Sequence, residues 1–184
     1  FFAEAWKGAQ EVTPCHVSNL RQQIEIDLNQ LSQELPARFS RTLTLVREGI
    51  PEIFTFPFVI TDGDLHETNI LVDDGYITGV IDWAESTIYP FGVSLWALEN
   101  ILGYMDGTGW HYHKNAKELR DEFWWVFETN IGSIQEGMKE KILLARMLGL
   151  FLRYGFEQNG SARVRVRDTD AALRYANAFC TGGI

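Results

Sequence analysis

Val59-Ile60-Thr61-Asp62-Gly63-Asp64-Leu65-His66-Glu67-Thr68-Asn69-Ile70-Leu71-Val72, followed by Ile81-Asp82-Trp83, is the stretch that decides how this chain reads. It sets three oxygen-bearing side chains, Asp64, Asn69 and Asp82, among short apolar runs. Residues 56–61, 69–72 and 76–82 read as strands, and Asp73-Asp74-Gly75 joins the last two. Asp-Gly between β-type runs is a strong short-range hairpin signal. With Asp74 and Gly75 as the central turn residues, Asp73 faces Tyr76 and Asn69 falls opposite Val80. Asp82 then lies two residues beyond that partner, on the same face because side chains alternate. The turn chemistry alone therefore brings Asn69 and Asp82 to one end of a hairpin.

Two carboxylates and an amide are hard oxygen donors and suit a cation such as Mg²⁺. Mg²⁺ takes few protein ligands and fills its shell with phosphate and water, so Asn69 and Asp82 suffice as its protein pair. Asp64 stands apart from that pair on a loop, where it can accept a proton from an attacking hydroxyl. Asp-x4-Asn alone is a weak signal. Joined to an apolar run, an Asp-Gly turn, a second run and Ile-Asp-Trp, it becomes specific.

The flanks predict helices. Val17, Leu20, Ile24, Leu28, Leu31 and Leu35 recur at helical spacing, with Pro36 closing the helix. Phe39, Leu43, Val46 and Ile50 form a second apolar face, which Gly49-Ile50-Pro51 is expected to end. A short helix is expected before Gly8. Further helices are expected over residues 90–104, 118–127, 134–156 and 170–179, with a strand fragment at 110–113. No repeat, linker or low-complexity tract divides the chain, so residues 1–184 read as one domain, α+β and predominantly helical.

Composition narrows the function classes. The formal net charge of −9 argues against nucleic-acid binding through a basic surface. No run of about 18 apolar residues exists, so no membrane span is expected. Cys15 and Cys180 lie far apart and in no paired motif, which fits a reduced, cytoplasmic protein. The chain lacks an initial Met, which suggests a piece of a longer protein, with a processed terminus as the rival explanation.

Asp64-Leu65-His66-Glu67-Thr68-Asn69-Ile70-Leu71-Val72 followed by Gly79-Val80-Ile81-Asp82-Trp83 resembles the catalytic segment of the aminoglycoside phosphotransferase family. That family is a branch of the protein-kinase-like superfamily, which also contains choline kinases. Flanks such as Pro90-Phe91-Gly92-Val93-Ser94-Leu95-Trp96 are similar to fungal-type members. The resemblance implies the C-terminal lobe of a kinase-like fold, with ATP and Mg²⁺ as cofactors and a small-molecule hydroxyl as acceptor. It makes Asp64 the catalytic base and Asn69 and Asp82 the Mg²⁺ ligands. Asn69 and Asp82 become the residues that meet the nucleotide phosphates, together with His66, for which a loop-structuring role is an equal alternative. The family's β-rich nucleotide lobe, with its strand lysine, is not among these residues, so the segment is expected to be inactive alone.

Two positions depart from the family pattern. Asp62 stands where the family has His, and it either raises the proton affinity of a neighbouring carboxylate or turns inward to accept backbone N–H bonds. Gly92-Val93-Ser94 lacks the Asp that many relatives carry after the Pro. Asp62 and the nucleotide lobe not seen here keep a second reading open, a pseudo-kinase or interaction scaffold, and a third is self-association through an exposed lobe face. Outside the motif, His111 and His113 read as a surface strand rather than a metal site. Arg163, Arg165 and Arg167 read as a charged edge strand, and Phe123-Trp124-Trp125-Phe127 as core.

Overall fold

The computed structural model describes residues 1–132, 134–159, 162–165 and 171–181. Helices dominate it, and the strands form four separate antiparallel pairs. The chain opens with α1 (Phe2–Lys7), which stops at Gly8, and α2 (Pro14–Glu34). Thr13 caps α2 by accepting from the His16 amide at 3.1 Å, and Pro14 occupies the first turn, where a missing N–H costs nothing.

α3 (Ser40–Ile53) runs through Pro51 instead of ending at it. The proline lies in the last turn, and fully buried Ile53 beyond it holds that turn against the core. One carbonyl loses its donor, which is tolerable where few helical bonds remain downstream.

β1 (Phe58–Thr61) follows and pairs with β4 (Thr87–Pro90), a strand not expected from the sequence. Between them lies the hairpin of β2 (Ile70–Asp73) and β3 (Tyr76–Val80). Its turn is as expected: Asp74 and Gly75 both adopt positive φ, at 48° and 82°, and Asp73 faces Tyr76. The register above the turn is not. An irregularity between Leu71 and Val72 pairs Ile70 with Val80, so the Ile81 amide bonds the Asn69 carbonyl at 2.9 Å. The Asn69–Val80 pairing is thus displaced by one residue, as a β-bulge does, so strand alternation no longer sets Asp82 on the face of Asn69 as expected.

The helix expected over residues 90–104 is shorter. A 3₁₀ turn at Val93–Leu95 leads into α4 (Trp96–Ile101), and β5 (Gly103–Met105) then pairs with β6 (Trp110–Tyr112). His111 belongs to that hairpin's closure, with Nε2 3.0 Å from Asp106 and its ring stacked on Tyr104.

α5 (Ala116–Ile131) and α6 (Met138–Tyr154) come next, then β7 (Phe156–Asn159) paired with β8 (Ala162–Arg165), and α7 (Ala171–Thr181). Arg163 and Arg165 fall on β8, opposite Gln158 and Phe156 of β7. Arg167 lies outside the described residues, and the edge-strand reading of these side chains with it.

The core gathers around α6, whose Ile142, Ala145, Leu148, Leu150 and Phe151 have no exposed surface. They pack against Leu31, Phe39, Val46 and Ile53 from α2, α3 and the turn between them. Burying each large apolar side chain contributes about 1.5–3 kcal/mol. A second aromatic layer ties α1 to α5. Trp6 meets Phe91 edge-on at 4.9 Å, and Phe91 stacks on Phe127 at 5.1 Å. Of the four aromatics expected in the core, Trp124 and Phe127 are buried, but Trp125 is 67% exposed because it faces away on α5. No helix of the described residues is long and apolar enough to cross a membrane.

Candidate active site

The loop from Asp62 to Asn69 leaves β1 and returns into β2, so its ends are fixed by two strand pairs. Asp62 is buried, with 1% of its surface exposed, and its Oδ1 accepts the Asp64 amide at 2.8 Å. Of the two roles weighed for this residue, the inward-facing cap on the loop backbone is the one its hydrogen bond serves. Gly63 lets the loop lie against the Glu85 backbone, because a Cβ there would come within 2.6 Å of the Glu85 carbonyl oxygen.

Asp64 is the centre of the contacts. Its Oδ1 accepts from Nη2 of Arg153, a residue of α6, and its Oδ2 lies 3.4 Å from His66 Nε2. Its carbonyl oxygen accepts from Asn69 Nδ2 at 3.0 Å. The His66 ring is braced on its other side, with Thr68 Oγ1 2.8 Å from Nδ1. Asn69 Nδ2 also lies 3.4 Å from His66 Nε2, so the amide meets both the histidine ring and the Asp64 carbonyl. Asp64, His66 and Asn69 are therefore one hydrogen-bonded group.

Asp82 lies at the end of the hairpin, immediately after Ile81. It adopts the left-handed conformation, φ 62° and ψ 54°, and caps a 3₁₀ turn without a side-chain hydrogen bond. Left-handed backbone is unfavourable for a residue other than glycine and concentrates at functional positions. Its carboxylate faces solvent with no ion pair among the described residues, while the Trp83 indole donates to the Val80 carbonyl at 2.8 Å and fixes the turn. No cluster of three or more His, Cys, Asp or Glu side chains forms a ready metal site among the described residues.

Two residues here escaped the sequence reading. Arg153 pairs with Asp64, and its guanidinium sits 5.5 Å from the centre of the Trp96 ring while Nη1 lies 3.9 Å from Glu85. The available signal was a single cation in the apolar run Leu148-Gly149-Leu150-Phe151-Leu152-Arg153-Tyr154. Glu85 had none.

The helix-rich α+β architecture with small antiparallel pairs is compatible with the class of enzymes that transfer phosphoryl groups to small molecules. Residues 3–110 match the model of the phosphotransferase enzyme family, and the chain belongs to that family. No curated protein and no solved structure matches it.

Proposed function

We propose that this chain is the C-terminal, helix-rich lobe of a protein-kinase-like phosphotransferase of fungal type, which moves the γ-phosphoryl of ATP to a hydroxyl of a small molecule. What supports the reading is local connectivity: Asn69 Nδ2 bonds the Asp64 carbonyl, and the Asn69 carbonyl accepts the Ile81 amide, one residue before Asp82. Asp64 accepts the proton of the attacking hydroxyl as the new O–P bond forms and the bond to the departing ADP oxygen breaks. His66 and Asn69 hold Asp64 in place, and His66 also offers its ring to the phosphates.

The donor set fits Mg²⁺. Asn69 commits its Nδ2 to the Asp64 carbonyl, which leaves Oδ1 as the amide atom able to meet a cation. Asp82 offers a carboxylate free of ion pairs among the described residues. Mg²⁺ held by these two would neutralise phosphate charge, the electrostatic contribution that dominates this chemistry.

The lobe assignment draws support from the hairpin's outer surface. Leu71, Val72, Tyr76, Ile77 and Trp83 are all exposed, so apolar side chains stand on both sides of the hairpin, surface of the kind that covers a nucleotide or packs on a second lobe. Among the described residues no lysine sits on a strand to hold nucleotide phosphates from a sheet. The 184-residue protein is accordingly expected to bind nucleotide weakly and to turn over nothing alone. Calorimetric titration with ATP and Mg²⁺ tests this, and tight, metal-dependent binding would overturn it. The same exposed apolar side chains also favour self-association, which sedimentation measures.

A further inference from the structure

Between Arg47 and Lys114 the sequence holds eleven acidic residues and neither lysine nor arginine, so this stretch is more negative than the whole chain, whose net charge is −9. Lysines and arginines from elsewhere pair with Glu52, Asp64, Glu85 and Glu99. Among the described residues none pairs with Glu67, Asp73, Asp74 or Asp82, which are exposed at the two ends of the β2–β3 hairpin.

Residues 71–78 of that hairpin are all exposed, Val72 by 62%, Tyr76 by 76% and Ile77 by 64%. Val72 faces Ile77 across the hairpin and Asp73 faces Tyr76, and successive side chains alternate. One side of the ribbon therefore carries the Val72–Ile77 pair, and the other sets Tyr76 beside a carboxylate. Among the described residues neither strand has a second neighbour, so both outer edges hold backbone N–H and C=O groups ready to pair. A two-stranded ribbon is marginal in water by itself, and a third strand stabilises it.

The sequence also holds a run of complementary pattern. Arg163-Val164-Arg165-Val166-Arg167 alternates cation and aliphatic, and its first three residues lie on β8, which among the described residues pairs with β7 alone. A strand of that sequence, added to an edge of the hairpin, can set its valines on the Val72–Ile77 side and its arginines on the Tyr76–Asp73 side. A slip of one residue would exchange the two sets, so the pattern specifies the register. Two hairpins placed edge to edge would instead oppose Asp73 and Asp74 to their like, which is unfavourable. Charge thus favours a contact between unlike surfaces of two copies over a symmetric one.

We propose that copies of this chain associate head to tail, the 163–167 run of one adding as a third strand to the β2–β3 hairpin of the next. This gives the self-association favoured by the exposed apolar side chains a definite pair of surfaces, and it stands independently of the phosphotransferase reading.

Sedimentation of the 184-residue protein, without nucleotide or metal, is the first test. The expected result is concentration-dependent association that weakens about tenfold as salt rises from about 0.02 M to about 0.3 M. Asp73→Lys with Asp74→Asn disables the hairpin, and asparagine tolerates the left-handed turn position. Arg163→Gln with Arg165→Gln disables the basic run. Each folded double variant alone should associate about tenfold more weakly or not at all. Mixed one to one they should form a heterodimer, because the intact run of one meets the intact hairpin of the other. A second measurement needs no variant. A synthetic peptide of residues 162–168 should give saturable NMR shifts at residues 71–78 of the isotope-labelled protein, and its counterpart with glutamate for arginine should give none. A protein that stays monomeric at low salt, association unchanged in either double variant, a mixture no tighter than its parts, or peptide shifts outside the hairpin would overturn the proposal. Asp64, Asn69 and Asp82 are untouched and metal is absent, so failure here leaves their proposed roles standing, and failure of those roles leaves this association standing.

Discussion

Arg153, on α6, reaches across 89 positions of sequence to donate to the carboxylate of Asp64. The contact ties the loop that carries the proposed base to the helix at the centre of the core. Both side chains keep about a third of their surface, so solvent screens the pair and its energy is modest. A double-mutant cycle with Asp64→Asn and Arg153→Met, followed by urea unfolding, is expected to give a coupling of about 0.5–1 kcal/mol. Additive effects would show that the two residues meet without stabilising each other.

A larger penalty is expected at Glu99. This carboxylate is 3% exposed and accepts from Arg146, from Arg120 Nη2 at 2.9 Å and from the Tyr112 hydroxyl at 2.9 Å. Removing it strands the buried Arg146 charge in the core. Glu99→Ala should lower unfolding stability by about 3–5 kcal/mol, whereas Arg120→Ala, at the network's exposed edge, should cost about 1 kcal/mol. Equal costs would contradict the picture of a buried anion that satisfies several donors.

How much of this was legible beforehand differs by region. Local chemistry was readable: the Asp74-Gly75 turn and the apolar faces of α2 and α3 appear where turn residues and periodicity put them, whereas the Thr13–Pro14 start of α2 was not anticipated. The family and the helical α+β class were readable for the same reason, since the loop motif and its strands are contiguous in sequence. What was not readable depends on distant partners. β4 is four residues long and exists because β1 pairs with it, and the bulge that shifts Asn69 to Ile81 is set by packing rather than by the turn. Arg153 and Glu99 look like ordinary helix-surface charges until α6 and α4 are folded against their partners. Trp125 failed for the opposite reason, because its neighbours Trp124 and Phe127 fill the core and leave it on the outer face.

Alkaline pH should unfold the protein through groups that the fold keeps neutral. Burial pushes the Tyr154 phenol up to about 12, and burial followed by the charge of Glu99 does the same for Tyr112; both start from 10.0. Burial alone carries the Cys180 thiol from 9.0 up to about 12. Each of these raised values favours the protonated form in the folded state. The associated stability is therefore complete below the ordinary values and is lost as pH climbs from about 9 to about 12. Urea midpoints should hold steady below that window and fall within it, and Cys180→Ala should delay the onset toward the tyrosine range. A midpoint that rises across the window would contradict the assignment.

The central claim is that Asn69 and Asp82 together hold a divalent cation beside Asp64. Mn²⁺ is a paramagnetic stand-in for Mg²⁺ with the same preference for oxygen ligands. Added in substoichiometric amounts to the isotope-labelled protein, it broadens NMR signals near the site even when binding is weak. Selective broadening at Asn69, Ile81 and Asp82, reversed by excess Mg²⁺ and lost in Asp82→Ala, is the predicted result. Broadening that falls elsewhere, or that persists unchanged in folded Asp82→Ala, would contradict it.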